Sequence, residues 1–529
     1  MTVQPEQDEV AANVDDRKTF DKHSPVDGRK LGSYPISTKE DVDEAVERAQ
    51  KAQKKWKRLT LDERFSYLNR LRQIIRRDGE RYAQTISDDT GKPLVDSLLT
   101  ELMSIPLFID YYEKEAPKAL KRRRLMPQIM FPGKASYIEY DAKGVIGIIS
   151  PWNFPFQLSV IPMISALIGG NTVVLKPSEV TPMTGELIRD VFEEAGFPPG
   201  VVEVVQGDGS TGAALTSADI DMIFFTGSVA TGRKVMKAAA EKPIPVELEL
   251  GGKDAMIVCE DANLERAARA AVWGGFINCG QMCISVERLF VVEAIYDEFI
   301  ELVKEEVAHL RVGAPDEGSD MGPLTFEGQI DVVTKHLDDA RERGATIAAG
   351  GQKREGPGQF FEPTLILDVT TEMEIYREET FGPVLPVIKV ADEEEAIEKA
   401  NDHKYGLTGS VWTGDRNKGM ELASRMESGQ VSINDLVQSV GNPALPFGGV
   451  KQSGFGRYHG HEGLYSFMNQ KAIMASPDLL DVEPVWFPYA AKYPTVLDTF
   501  QKLLDGKMVR AVKNFWDLIK MTSNRDGTD

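Results

Sequence analysis

Residues 145–175 read VIGIISPWNFPFQLSVIPMISALIGGNTVVL. Two short apolar runs, Val145–Ile149 and Val173–Leu175, flank a longer stretch. Further apolar runs follow, most of them separated by helical stretches, at 201–205, 222–225 and 255–258. Continuous apolar strands that alternate with helices indicate a parallel sheet covered on both faces. The sequence therefore predicts an α/β fold, which binds ligands beyond the carboxyl ends of its strands.

The composition is that of a globular protein with an acidic surface. The chain has 529 residues, of which 42% are apolar and 27% are charged. These values suit a folded chain of two or three domains. Lys and Arg total 61 against 82 Asp and Glu, which gives a formal net charge of -21. Because an anionic surface repels phosphates, no nucleic acid partner is expected.

The cysteines and the N-terminus favour a reducing, cytoplasmic compartment. Cys259, Cys279 and Cys283 cannot all pair within one chain, and the N-terminal MTVQPEQDEV carries no apolar signal segment. Residues 1–18 are polar and acidic, so we expect them to be disordered. No run approaches the roughly 18 apolar residues that a membrane-spanning helix needs.

Two glycine-rich segments are candidate sites for a dinucleotide. Gly207–Gly212 matches G-x-G-x-x-G after an apolar strand, but it lacks the acidic residue normally found about twenty positions later, so a plain turn is the alternative. Gly227–Gly232 follows a buried strand directly and opens a helix, whose free amide groups favour a pyrophosphate. There Gly227 allows close approach and Ser228 offers a hydroxyl; a simple helix cap is the alternative.

The segment LKPSE at 175–179 ends another apolar strand. Lys176 and Glu179 would stand at the carboxyl end of that strand, where one donor and one acceptor can hold a ribose. A solvated ion pair in a turn is the alternative interpretation.

The segment FINCGQMCIS at 276–285 holds the candidate nucleophile. Cys283 follows a glycine turn, and we expect it at the start of a helix, whose N-terminus stabilises a thiolate. The thiolate is the species that attacks in covalent catalysis. A buried packing cysteine is the alternative, and packing is the interpretation that we adopt for Cys259.

Two polar residues in apolar segments are candidate partners of the cysteine. Glu249 lies between two leucines, and apolar surroundings raise the pKa of a carboxylate, which suits a general base. Asn153 of PWNFP is held between prolines and can donate to a developing oxyanion. An exposed strand-end glutamate and a structural loop asparagine are the alternatives.

Seven motifs carry a resemblance to the aldehyde dehydrogenase superfamily over residues 20–475: PWNFP, KPSE, FTGS, LELGGK, GQMC, EETFGP and PFGGVKQSGFGR. The resemblance implies that Cys283 is the nucleophile and that Glu249 activates the deacylating water. Asn153, with the N–H of Cys283, resembles the oxyanion hole. The implied reaction oxidises an aldehyde to a carboxylic acid with NAD(P)⁺ through a cysteine thiohemiacetal and thioester.

The resemblance also implies a set of cofactor contacts and no metal. The residues that we expect around the cofactor are Pro151, Trp152, Lys176, Ser178, Glu179, Gly207, Gly227, Ser228, Gly232, Leu250, Glu379 and Phe381. Among them Glu379 resembles the nicotinamide-ribose contact. A carboxylate at Glu179 would repel a 2′-phosphate and favours NAD, whereas Lys176 tolerates NADP as well.

The same resemblance implies the domain organisation. A Rossmann-like cofactor domain would comprise 19–122 and 144–251, and a second α/β catalytic domain would comprise 252–450. A small β oligomerisation element, 123–143 with 451–475, implies a homodimer or homotetramer.

The substrate signals are mixed. GQMCISVER and the stretch around GRYHGHEG resemble succinic semialdehyde dehydrogenases, yet Ile161 stands where that branch has an arginine. The segment 156–163 resembles fatty and aromatic aldehyde dehydrogenases, and an apolar wall favours a medium- or long-chain aliphatic or an aromatic aldehyde. A semialdehyde is the alternative substrate. An esterase or a binding protein is the alternative function.

Residues 476–529 extend past the resemblance. Apolar residues recur there at helical spacing from Val496 to Ile519, interrupted by Gly506, and basic side chains lie on the polar side. A basic amphipathic helix suits a membrane surface, here through residues 490–521. Packing on the same subunit or on a neighbour is the alternative.

His459 and His461 are separated by a single residue, a spacing that suggests a pair of metal ligands. Two histidines alone rarely bind a metal. We therefore expect them on a surface loop, and no metal.

Overall fold

The structure, a computed structural model, describes residues 18–127, 131, 133–477, 483, 485–487, 489 and 491–523. These residues form two compact units. One contains the described residues up to Ala119 together with Ala142–Met468, and the other contains the described residues of Leu120–Asp141 and from Asn469 onward. Disorder was predicted for residues 1–18, and all of these except Lys18 lie outside the described residues.

Strands and helices alternate along most of the chain. The strands are β1 (Thr19–His23), β2 (Lys30–Pro35), β3 (Arg123–Arg124), β4 (Ala135–Ala142), β5 (Val145–Ile149), β6 (Thr172–Lys176), β7 (Val202–Val204), β8 (Met222–Thr226), β9 (Val246–Glu249), β10 (Asp254–Val258), β11 (Val286–Val292), β12 (Thr346–Ala349), β13 (Thr364–Leu367), β14 (Val384–Val390), β15 (Tyr405–Gly406), β16 (Thr408–Trp412), β17 (Gln430–Ile433), β18 (Val450–Lys451), β19 (Gly454–Phe455) and β20 (Met468–Ala475). The α-helices are α1 (Lys39–Trp56), α2 (Leu61–Thr90), α3 (Leu94–Asp96), α4 (Ser104–Ala119), α5 (Gln157–Ile168), α6 (Pro182–Glu194), α7 (Gly209–Ser217), α8 (Val229–Ala240), α9 (Leu264–Phe276), α10 (Tyr296–Ala308), α11 (Gly328–Glu342), α12 (Glu374–Arg377), α13 (Glu393–Asn401), α14 (Arg416–Arg425), α15 (Gly460–Tyr465), α16 (Tyr493–Leu504) and α17 (Met508–Ser523).

Five parallel strands and one antiparallel edge strand form the first large sheet. Its order is β19-β9-β8-β5-β6-β7, and only β19 runs antiparallel to its neighbour. The first of the parallel strands along the chain, β5, lies between β6 and β8, so the chain winds away from it in both directions. Such a reversal of strand order opens a ligand crevice beyond the carboxyl ends of the strands. The predicted α/β fold with a parallel sheet is confirmed.

The second large sheet has the order β12-β13-β14-β11-β10-β16-β17 and is parallel except for its edge strand β12. Its central strands β10 and β11 are buried along their whole length, as a sheet covered on both faces requires. Both large sheets lie in the first compact unit. The division into 19–122 with 144–251 and 252–450 therefore stays a prediction.

The second unit contains a three-stranded sheet of order β20-β4-β3 and two helices near the C-terminus. The helical spacing predicted for this region is confirmed: α16 and α17 are separated at Gly506, which has a φ of 71°. Across the described ranges, no helix has the length and apolarity needed to cross a membrane.

His459 does not lie on a surface loop, and that prediction was wrong. Its side chain is fully buried, with ring centroids 4.4 Å from Phe108 and 4.1 Å from Tyr458. Burial lowers its pKa to about 3, so the ring is neutral. His461 is half-buried instead, and its Nε2 lies 3.2 Å from Glu115. The two imidazoles thus have separate surroundings, an aromatic one for His459 and a carboxylate for His461.

Candidate active site

A cavity of about 310 Å³ lies beyond the carboxyl ends of β5, β8 and β9. It brings together Cys283, Glu249 and Asn153, which come from three separate motifs. The remaining lining residues are Pro151, Trp152, Leu158, Thr226, Gly227, Ser228, Leu250, Gly251, Phe326, Gln329, Val332, Glu379 and Phe381. A nucleophile, an acid and an amide therefore share one pocket with most of the predicted cofactor residues.

Cys283 lies on a turn that leads into β11, not at the start of a helix. The prediction that a helix N-terminus stabilises its thiolate was therefore wrong. The short 3₁₀ segment Ile277–Gly280 ends before it. Burial raises the pKa of the thiol, and the nearby carboxyls of Glu379, Asp254 and Glu249 raise it further. These surroundings favour the neutral thiol over the thiolate.

The turn before Cys283 is conformationally strained. Asn278 and Cys279 have φ values of 51° and 58°, a left-handed region that non-glycine residues rarely occupy. The Asn278 side chain holds this shape, since its Nδ2 donates to the carbonyl oxygens of Asn153 and Gln281, each at 3.1 Å. Strain of this kind persists where surrounding contacts over-determine it. Here those contacts join the turn before Cys283 to the Asn153 loop.

Glu249 ends β9 as a buried carboxyl. Neither carboxyl oxygen has a hydrogen-bond partner among the described residues. Burial raises its pKa well above the ordinary value and the charge of Glu247 raises it further, while Arg457 opposes the shift. A carboxyl of high pKa is a strong base once ionised, so the site has the chemistry of a general base that works better as pH rises.

The glycine pair after Glu249 is required by close packing. A Cβ at Gly251 would lie 2.2 Å from a carboxyl oxygen of Glu379. A Cβ at Gly252 would lie 2.3 Å from the carbonyl oxygen of Cys283. The two glycines thus let the segment after Glu249 approach both Cys283 and the Glu379 loop.

A fully buried ion pair positions Asn153. Lys92 Nζ lies 2.6 Å from Glu101 and donates to the Asn153 carbonyl oxygen at 2.7 Å. The other Glu101 oxygen accepts the amide N–H groups of Phe156 and Gln157, at 3.0 and 2.9 Å. The Asn153 Nδ2 donates to Gln281 O at 3.1 Å. Asn153 is therefore held at its backbone carbonyl by Lys92 and at its side-chain nitrogen by Gln281.

A second buried network fixes Glu379 and Phe381. Glu379 accepts the Gly252 N–H at 3.0 Å, and burial, with the charge of Glu287, raises its pKa to about 8. Glu287 is itself paired with Lys253 and accepts the N–H groups of Thr380 and Phe381 at 2.8 and 3.0 Å. The Phe381 ring lies edge-on to Trp152, with centroids 5.4 Å apart. Both rings line the cavity that also contains Cys283, so they give it apolar surface.

The residues expected at the outer part of the cofactor lie along the same sheet edge. Ser228 is the N-cap of α8, and its hydroxyl accepts the Thr231 N–H at 3.3 Å. Lys176, at the end of β6, is paired with Glu179 at 2.7 Å. A helix N-terminus beside a donor–acceptor pair, all at the carboxyl ends of parallel strands, fits a dinucleotide. The predicted residues that do not line the cavity are Lys176, Ser178, Glu179, Gly207 and Gly232.

Gly207 belongs to a turn rather than to the cavity wall. Its φ is 148°, and a Cβ there would lie 2.1 Å from the Thr211 hydroxyl. The next residue, Asp208, caps α7 by accepting the Ser210 N–H at 2.8 Å. The packing of this turn alone therefore accounts for the glycine.

Several lining residues were not predicted from the sequence. Phe326, Gln329 and Val332 surround the start of α11 and belong to no recognisable motif. Leu158, Thr226 and Gly251 lie inside or beside the quoted motifs, so adjacency alone would have indicated them. Lys92 and Glu101 carried no signal, because their role depends on contacts across the fold.

A cysteine, a carboxyl and an amide in one cavity beside a helix N-terminus fit a dinucleotide-dependent oxidoreductase, and comparisons with known proteins agree with that class. The aldehyde dehydrogenase family model matches residues 12–473. A Methylomonas protein named 4,4'-diapolycopene aldehyde oxidase is 44% identical over 469 residues, 88% of each chain. A Mycolicibacterium smegmatis protein provisionally named succinate-semialdehyde dehydrogenase (NADP(+)) is 39% identical over 461 residues, 86% of this chain and 88% of the relative.

Solved structures give the same result. A Mycobacterium tuberculosis aldehyde dehydrogenase complexed with NAD+ is similar at a TM-score of 0.83 and 36% identity, over 88% of this chain and 96% of that one. A Burkholderia cenocepacia structure described as an aldehyde dehydrogenase reaches a TM-score of 0.85 at 36% identity, over 89% and 97%. This chain belongs to the aldehyde dehydrogenase family and is an NAD(P)-dependent enzyme.

Proposed function

We propose that the enzyme oxidises a lipophilic aldehyde, aliphatic of medium or long chain or aromatic, to its carboxylic acid, with Cys283 as nucleophile. The observation that carries the reaction is the convergence of Cys283, Glu249 and Asn153 in one cavity with the cofactor-motif residues. An esterase would need no nucleotide site, and a binding protein would need none of the three reacting groups.

The mechanism assigns each group a step. The deprotonated Cys283 sulfur attacks the carbonyl carbon, and the Asn153 side chain with the Cys283 N–H stabilises the oxyanion. The cofactor-motif residues, Ser228 and Glu379 among them, would hold NAD(P)⁺, which would supply the acceptor for the hydride of that carbon. The resulting thioester is attacked by a water whose proton passes to Glu249, and the carbon–sulfur bond breaks to release the acid.

Apolar surroundings support a lipophilic substrate. Segment 92–107 packs against the reacting loops, since Lys92 contacts Asn153 and Asp96 accepts the Asn278 N–H at 3.4 Å. Its outward residues form an exposed apolar stripe at helical spacing: Val95, Leu98, Leu99, Met103 and Leu107. Ile161 is buried and apolar where a semialdehyde enzyme would need a cation. Among the described residues that line the cavity, none is cationic.

The names of the relatives include both substrate classes, an aldehyde on a hydrocarbon chain and a short aldehyde that carries an acid group. Steady-state kinetics with decanal, benzaldehyde and succinic semialdehyde separate them. We expect kcat/KM to be at least about tenfold higher for the lipophilic aldehydes, since a buried carboxylate without a cation costs more than that. Equal or greater specificity for succinic semialdehyde would favour the alternative.

For the cofactor we propose NAD over NADP. Lys176 is nearly buried and already neutralised by Glu179, whose carboxylate is partly exposed and would repel a 2′-phosphate. Comparing kcat/KM for the two cofactors tests this directly, and a clear preference for NADP would overturn it.

We also infer a homodimer or homotetramer. The support is the family resemblance of 123–143 and 451–475, together with the edges of the β20-β4-β3 sheet, which pair with no further strand among the described residues and suit pairing with another copy. Sedimentation equilibrium measures this property, and a monomer at micromolar concentration would contradict it.

A further inference from the structure

The C-terminal helices form an antiparallel hairpin. Asn514 of α17 donates to Asp498 and Thr499 of α16, and Lys502 donates to Asn514 at 3.2 Å. Thr495, near the start of α16, lies 3.9 Å from the sulfur of Met521 near the end of α17. Ala511 and Leu518 of α17 are buried as well, so the hairpin buries both polar and apolar side chains, while most of its large apolar side chains are exposed.

The outer face of α16 is an uncovered apolar stripe. Tyr493, Val496, Leu497, Phe500 and Leu504 recur at helical spacing and have exposures from 41% to 72%. On α17, the large apolar residues Val509 and Trp516 are exposed at 80% and 56%. Contiguous exposed apolar surface of this kind marks an interaction site rather than ordinary surface.

Aromatic side chains continue this surface before α16. Trp486, Phe487 and Tyr489 are each more than half exposed, and the rings of Phe487 and Tyr489 lie 4.5 Å apart. Lys492 anchors the segment by donating to the Trp486 carbonyl oxygen at 2.6 Å. Trp and Tyr are the residues that favour the headgroup level of a bilayer.

The charge of the hairpin is opposite to that of the chain. Residues 491–523 contain six basic and three acidic side chains, whereas the whole chain has a formal net charge of -21. Five of the six basic residues are lysines. Within the part of the chain that the structure describes, Arg510, Lys513 and Lys520 form no ion pair.

We propose that hairpin 491–523, with the aromatic residues that precede it, binds the surface of an anionic lipid bilayer. Lysines are depleted from protein–protein interfaces but are attracted to anionic headgroups, and an apolar face rimmed by them suits the acyl boundary. A second copy of this chain is the other occupant that the apolar stripe suits, and the test separates the two. The proposal does not depend on the substrate.

The experiment is co-sedimentation of the full chain with vesicles of phosphatidylcholine, with and without phosphatidylglycerol. Wild type is expected to bind the anionic vesicles and to be released by high salt. The exposed triple variant Phe500→Ser/Leu504→Ser/Val509→Ser should bind at least about tenfold more weakly, as should Arg510→Gln/Lys513→Gln/Lys520→Gln. Met236→Ser/Met420→Ser, which removes exposed apolar side chains elsewhere, should bind like wild type.

Oxidation of a water-soluble aldehyde by every variant controls for folding. Failure of wild type to bind anionic vesicles would overturn the proposal. So would equal binding by wild type and both hairpin variants. If instead the apolar variant lowered the mass measured by sedimentation while vesicle binding was absent, the face would belong to a second copy.

Discussion

Glu247 and Glu249 project from the same face of β9, and both carboxyls lie against the glycine-rich segment between Gly448 and Gly456. Oε1 of Glu249 would lie 3.0 Å from a Cβ at Gly448, and Oε1 of Glu247 would lie 2.8 Å from a Cβ at Gly456. Burial raises the pKa of Glu247 to about 8 and that of Glu249 well above its ordinary value, and the charge of Glu247 adds to the second shift. The proposed base is thus coupled to a second acid.

The first prediction concerns Glu247→Gln. Removing the neighbouring negative charge should lower the pKa of Glu249, so the rise of kcat with pH should move to lower pH. The readout is the pH profile of kcat at saturating aldehyde. Glu241→Gln, an exposed position, is the matched control, and an unchanged profile in Glu247→Gln would contradict the coupling.

The same variant has a stability readout. Burial places the pKa of Glu247 in the folded state above its ordinary value in the unfolded chain. Ionisation of Glu247 therefore opposes folding, and this cost in stability grows as pH rises from the unfolded-state pKa towards the folded-state pKa. Glu247→Gln should therefore melt at a higher temperature than wild type at alkaline pH, with a smaller difference in acid. A lower melting temperature in alkali would contradict this.

The second prediction concerns Glu249→Gln. If Glu249 serves the hydrolysis of the thioester, the variant should still produce one equivalent of reduced cofactor per site in a rapid burst. Its kcat should fall by about 10²–10⁴. Stopped-flow absorbance separates burst from turnover, and loss of the burst itself would place Glu249 in an earlier step.

The third prediction concerns Glu179→Gln. Its carboxylate pairs with Lys176 at 2.7 Å, so the neutral variant frees a cation and removes a repulsive charge. The ratio of kcat/KM for NADP to that for NAD should rise by about tenfold, a modest change because Glu179 is partly exposed to solvent screening. Glu193→Gln, exposed on α6, is the control. An unchanged ratio would remove Glu179 from cofactor selection.

The fourth prediction concerns Lys92→Met. Removing one partner of a fully buried ion pair leaves Glu101 unpaired, which should lower the free energy of unfolding by about 3–5 kcal/mol. kcat should also fall, because the Asn153 carbonyl loses its donor. Chemical denaturation and kinetics measure both, and Lys92→Met/Glu101→Gln should recover part of the stability. Equal stability of wild type and the single variant would contradict the argument.

Much of the fold could be predicted because its strands are continuous apolar runs. Each apolar run, such as 145–149, predicts a strand by itself. The polar residues at or just after the carboxyl ends of β5, β8 and β9 then meet at one sheet edge. The placement of Asn153, Ser228 and Glu249 in one cavity follows from that topology.

What could not be predicted depends on contacts between distant segments. Lys92 reaches Asn153 across 61 residues, and the burial of His459 depends on Phe108. The expected helix at Cys283 does not form, because the chain leaves the glycine turn to enter the buried strand β11. No local pattern specifies any of these contacts.

The most direct test of the central claim is the reduction of NAD⁺ and NADP⁺ by wild type and Cys283→Ala with a panel of aldehydes. Cys259→Ala, at a buried sulfur outside the cavity, is the matched control. The account predicts cofactor reduction by wild type and by Cys259→Ala, and neither burst nor turnover by Cys283→Ala. Reduction that persists in folded Cys283→Ala would contradict it.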